Sequence, residues 1–194
     1  MAPQKANFKI YQGSTFQETI RWESSEKGYA QVEGVPSRAP LVLTSTGHSI
    51  PEGWRCKLGS FTTGMKELNQ DNYVLVTSTT VNTLTINSIN ATTYSNYTSG
   101  GVIEYNKPIS LVGYTARMQL RDKLTSETTL LELTTENGRI ILDTAKSIIA
   151  LNITAQDTQA ILFKSAVYSL ELVQGSVVTT LLTGNITCEK EVTR

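Results

Sequence analysis

The chain has 194 residues with 17 basic and 17 acidic side chains, so its formal charge is zero and no electrostatic footprint for nucleic acid is visible. Charged residues are scarce and Thr is abundant; Thr, Val, Ile and Tyr favour pleated, half-buried surfaces, so an all-β chain of one large or two small domains is expected. No apolar run approaches a bilayer span and MAPQKANFKIYQG has no apolar signal core, which predicts a soluble protein made in a cytosol, with no membrane partner.

Residues 7–23, NFKIYQGSTFQETIRWE, alternate on both sides of a bend at Gln12-Gly13-Ser14. Phe8 and Ile10, then Phe16, Ile20 and Trp22, give two strands one inward face each. Residues 24–40 are rich in Ser, Gly and Pro with little periodicity, and predict a linker or irregular excursion. After Leu41-Val42-Leu43 come short β-prone runs, WRCKL, NYVLV and TLTI, separated by turn residues at the intervals of a small β-barrel. Within Trp54-Arg55-Cys56-Lys57-Leu58 the alternate positions Trp54, Cys56 and Leu58 share a face, so Cys56 is expected in the core and unreactive. Val102-Ile103-Glu104-Tyr105 then meets Asn106-Lys107-Pro108, a second boundary signal. Two boundaries around a self-contained stretch predict an insertion: residues 36–103 form the small barrel, and 1–35 with 104–194 form the host domain.

The C-terminal part is regular. Tyr114, Ala116, Met118 and Leu120 make an apolar stripe through YTARMQLR, and TLLELT is a further strand. Glu136-Asn137-Gly138 signals a turn into residues 139–143, and Lys146-Ser147 a bend before IIALNIT. Thr154-Ala155-Gln156-Asp157 has the form of a helix N-cap, predicting a single helical turn through about residue 162. In VYSLELV one face carries Tyr168, Leu170 and Leu172, and Gln174-Gly175-Ser176 turns the chain into VVTTLLTGNITCEKEV. This succession predicts a β-sandwich of immunoglobulin-like type around the inserted barrel. Cys56 and Cys188 fall in different domains, each within a strand, and are expected as free, packed thiols. Sequons at Asn90, Asn96, Asn152 and Asn185 follow from Thr-rich composition in a chain without a secretion signal.

Two resemblances attach to these residues. Gly47-His48, Gly53-Trp54, Gly64, Leu68-Asn69, Tyr73, Tyr94, Tyr97 and Gly100-Gly101 occur in an order that resembles the first catalytic cysteine half-domain (FCCH) module of ubiquitin-activating enzymes, which recurs in virion proteins of tailed bacteriophages. It covers about a third of the chain and implies a fold and a virion context, not ubiquitin chemistry. Pro108-Ile109-Ser110-Leu111-Val112-Gly113-Tyr114-Thr115-Ala116-Arg117-Met118-Gln119-Leu120-Arg121, continuing to Glu191-Val192-Thr193-Arg194, resembles small phage and prophage structural proteins, and more loosely the N-terminal modules of upper baseplate proteins. The barrel-like insertion departs from the simple members of that group.

The inventory for chemistry is thin. His48 is the only histidine, and beside Gly47 it reads as a turn residue whose ring bonds locally. Glu132 and Glu171 fall on outward strand faces and Asp71 and Asp122 in loops, with no calcium-loop or paired-carboxylate spacing. No catalytic residue, metal or cofactor is expected. Candidate interaction residues are Tyr94, Tyr97 and Tyr105, as barrel plugs or a sugar-stacking platform, and Arg117 and Arg121, on the solvent face, within reach of Glu132 or a neighbouring subunit. The resemblances imply a non-enzymatic structural component of a tailed phage virion, in the tail, baseplate or neck. It would assemble in the cytoplasm of the bacterial host, dock by its sandwich onto other virion proteins, and stand in multiple copies around a symmetry axis. The alternatives are a capsid decoration protein and a module holding host glycans through the barrel tyrosines and His48.

Overall fold

The computed structural model describes residues 2–191. The closing Val192-Thr193-Arg194 of the second resemblance lies outside them. The fold is all-β. Its strands run β1 (Gln4–Lys5), β2 (Phe8–Tyr11), β3 (Phe16–Arg21), β4 (Glu23–Gln31), β5 (Gly34–Arg38), β6 (Leu41–Thr44), β7 (Arg55–Gly59), β8 (Val74–Leu75), β9 (Ser78–Thr79) and β10 (Thr83–Ile86). They continue with β11 (Val102–Pro108), β12 (Thr115–Arg121), β13 (Leu131–Thr134), β14 (Ile140–Asp143), β15 (Ile148–Ile153), β16 (Ser165–Gln174) and β17 (Val177–Glu189). One helix, α1 (Ala155–Gln159), and a 3-10 turn at Lys66–Leu68 interrupt them.

The chain divides into two units: residues 1–20, 111–144 and 148–194 make the first, and residues 21–110 with 145–147 the second. The first is a β-sandwich. One sheet has the order β1-β17-β16-β12-β13, with β2 also paired to β17, and the other is β14-β15-β3. Strict alternation places Ala116, Met118 and Leu120 of β12, Tyr168, Leu170 and Leu172 of β16, and Ile149, Leu151 and Ile153 of β15 in the core. The N-terminal strands on either side of the Gln12-Gly13-Ser14 bend do not pair with each other. β2 runs parallel to β17, with Phe8 opposite Ile186, while β3 joins the opposite sheet. Phe8 packs edge-on against Phe16 (ring centroids 5.9 Å apart) and 5.5 Å from Tyr168. Thr154 caps α1 as its sequence requires, its hydroxyl accepting the Asp157 backbone N–H at 3.1 Å.

The second unit has two four-stranded sheets, β4-β11-β7-β8 and β5-β6-β10-β9. Consecutive strands β8 and β9 carry the chain from one sheet to the other. Trp54, Cys56 and Leu58 are buried together with Leu41, Leu43, Leu84, Ile86 and Ile103. The indole N–H of Trp54 donates to the Asn106 carbonyl at 2.7 Å.

The stretch at 24–40 is not an irregular excursion. It supplies β4, paired along its length with β11 (Ala30 opposite Ile103, Gly28 opposite Tyr105), and β5, paired with β6. Its alternation is hidden because the inward positions of β4 are small. A Cβ on Gly28 would stand 2.5 Å from the Tyr105 ring, so the aromatic side chain of one strand fills the space left by glycine on the next. Through these pairings residues 21–35 and 104–110 lie in the second unit. NYVLV yields only the two-residue β8, with Val76 buried just beyond it.

Candidate functional site

The turn at Gly47 (φ +67°) delivers His48 into a local network. Its Nδ1 accepts the Ile50 backbone N–H at 3.2 Å, so Nε2 carries the proton and donates to the Thr83 carbonyl at 3.1 Å. The imidazole thereby fastens its turn to β10, and no carboxylate is among its hydrogen-bond partners.

The three tyrosines are not arranged as one platform. Tyr105 is buried in the core above Gly28. Tyr97 is half-buried, its hydroxyl directed at the carbonyls of Val32 (2.9 Å) and Gly100 (3.0 Å) and its ring set edge-on to Phe61 with centroids 6.4 Å apart. Tyr94, also half-buried, lines a groove with Tyr73, Asn72 and Asn90. The Tyr73 ring in that groove is already flanked by Lys27 and Arg55, at 5.2 and 5.3 Å from its centroid.

Arg117 and Arg121 do face outward, but Glu132 is the partner of neither. Register decides this: Arg117 lies opposite Glu171 on β16 and bonds it at 2.8 Å, while Glu132 lies opposite Gln119 and accepts from its amide at 2.7 Å. Arg121 donates to the Ser126 carbonyl (2.5 Å) and to Gln119 (2.8 Å).

The most organised polar cluster surrounds Glu23. Its carboxylate receives Arg21 (2.9 Å), Arg55 (3.0 Å) and the Asn106 amide (2.7 Å). Burial pushes this carboxyl up, yet the hydrogen bonds from Arg55, Asn106 and Arg21 outweigh it and hold Glu23 below the usual carboxylate range. The cluster ties β4, β7 and β11 together. Both cysteines are buried free thiols, and burial pushes Cys56 up to about 12, which leaves it no thiolate at neutral pH. Among the described residues no group of three or more His, Cys, Asp or Glu side chains could hold a metal, and no helix is long and apolar enough to cross a membrane.

Two features escaped the sequence. The first is Tyr29 on the outer face of β4, 62% exposed, with neither a hydrogen bond nor a ring contact among the described residues. It borders a groove of about 470 Å³ that also includes Lys57, Gly59, Gln70, Asp71 and Glu104. The alternation of β4 could have exposed it, had that segment been recognised as a strand. The second is the edge of β17 before Leu182, which has no partner strand among the described residues. No family model matches the chain, and no curated protein matches it.

Proposed function

We propose that the chain is a non-enzymatic structural component of a tailed phage particle, in the tail, baseplate or neck, which docks through its β-sandwich onto other virion proteins. The observation that carries this is a stretch of the β17 edge that has no partner strand among the described residues. Residues 177–180 pair with β16 on one side, whereas among the described residues no strand pairs with them on the other, where the pairing of β1 starts at Leu182. Pro3, which has no N–H to give, precedes β1, and the register of β17 shifts at Leu181.

Most other edges carry residues that discourage pairing, Glu26 and Lys27 in β4, Pro36 and Arg38 in β5, Glu18 and Arg21 in β3, Glu132 in β13 and Asp143 in β14, while the uncharged edges β8 and β9 are only two residues long. VVTTL at 177–181 has no charge and no proline, and Val177 and Val178 are 61% and 47% exposed. Val112, Leu124, Ile141 and Leu162, also exposed, belong to the same unit. An unguarded edge that itself carries exposed valines is what a subunit needs when its affinity comes from buried interface rather than from a catalytic centre. The resemblance of residues 108–121 to phage structural proteins gives that edge its context.

The test is particle composition. Particles purified from a producing bacterial culture and separated into heads and tails should contain the chain in the tail fraction, in fixed stoichiometry, by mass spectrometry. A chain found only in the soluble fraction while complete particles form would refute the proposal, and recovery with heads would move it to capsid decoration.

A further inference from the structure

We infer that the groove beside Tyr29 is a binding site for a neutral saccharide, independent of where the chain sits in a particle. One row across the sheet of the second unit places Tyr29, Glu104 and Lys57 side by side, since Glu104 lies opposite Tyr29 on β4 and opposite Lys57 on β7. Asp71 closes the row from the following loop, 2.8 Å from Lys57. The next row contains Gly59, opposite Val102. Gly59 has an ordinary negative φ, and a Cβ there would meet nothing within 4 Å, so neither backbone geometry nor packing calls for glycine. What its hydrogen does is keep the groove open where a side chain would occupy it.

Three chemical properties select the ligand. An exposed tyrosine ring without a partner offers a flat apolar surface, suited to the C–H face of a pyranose and wasteful in water alone. Hydroxyl groups both donate and accept, and the row supplies both counterparts: carboxylates at Glu104 and Asp71 and an ammonium at Lys57. Each carboxylate makes a single ion-pair contact, Lys27 to Glu104 at 3.1 Å and Lys57 to Asp71 at 2.8 Å, and retains lone pairs for a hydroxyl. The two acids and the two lysines cancel, so the site has no net charge to attract a phosphate or a cation. Its volume of about 470 Å³ falls within the roughly 300–1,000 Å³ of small-molecule sites.

The experiment screens the full chain on an array of neutral bacterial surface oligosaccharides and titrates the best-bound one, at millimolar concentration, into isotope-labelled protein by NMR. Saturable shifts at the amides of Gly59, Val102 and Glu104 are expected. Tyr29→Ala should weaken binding about tenfold, the loss of one stacking contact. Gly59→Leu should abolish it while Tyr29 and the charges stay in place and the thermal midpoint is unchanged. A blank array with no shifts, or binding that survives both substitutions, would overturn the site. Either result leaves particle incorporation untouched, so the two proposals fail separately.

Discussion

Cys56 is fully buried and Tyr168 nearly so, and their protons report it. Burial pushes each up to about 12, from ordinary values of 9.0 and 10.0. An unfolded chain therefore releases these protons first as the pH rises. The stability these two groups contribute is constant below about pH 9 and declines from there toward about 12. Urea midpoints measured near pH ~8 and pH ~10.5 should fall, and Cys56→Ala, at a cost of about 1 kcal/mol at neutral pH, should reduce the fall. An equal fall in the variant would mean that Cys56 is not its source. Glu23 acts in the opposite direction: held below its ordinary 4.5, it contributes stability that is present above that value and lost as the pH drops through and below it. Glu23→Gln should cost roughly 1–3 kcal/mol at neutral pH and flatten the acid limb of the unfolding curve, followed by fluorescence of the buried Trp54. A fully retained acid limb would assign it to other carboxylates.

Elements differ in how openly they declare themselves. The helix cap is local chemistry, a Thr hydroxyl accepting the backbone N–H three residues further on, and Thr154-x-x-Asp157 was readable without any partner. Thr154→Ala should destabilise the first unit by about 1 kcal/mol in a denaturant titration, and an unchanged midpoint would make the cap incidental. Strands β12, β15 and β16 are equally legible, because their large apolar residues fall on every second position and each has a full face to bury. β4 is the counterexample. Its inward positions are Gly28 and Ala30, and the bulk that covers Gly28 belongs to Tyr105, 77 residues away on β11. A strand whose core contribution is an absence of side chain looks like a loop until its neighbour is known.

At the scale of the whole molecule, the edge of β17 is where docking succeeds or fails. Val178→Lys puts a charge on a position that is already exposed, so the unfolding free energy should stay within about 0.5 kcal/mol of the parent chain. Co-purification with particles should nevertheless drop sharply in a complementation assay. Undiminished incorporation of a folded variant would locate docking elsewhere.

The sequence alone determined the all-β class, the inward faces of the regular strands, the helix cap, the free buried thiols and the local role of His48. Each depends on residues within a turn or a strand length of one another. Tertiary structure decided which strands are neighbours, and with them the partner of Arg117, the burial of Tyr105, the open stretch of β17 and the groove at Tyr29. Register across a sheet joins residues tens of positions apart, and periodicity along a chain carries no record of which strand will lie alongside.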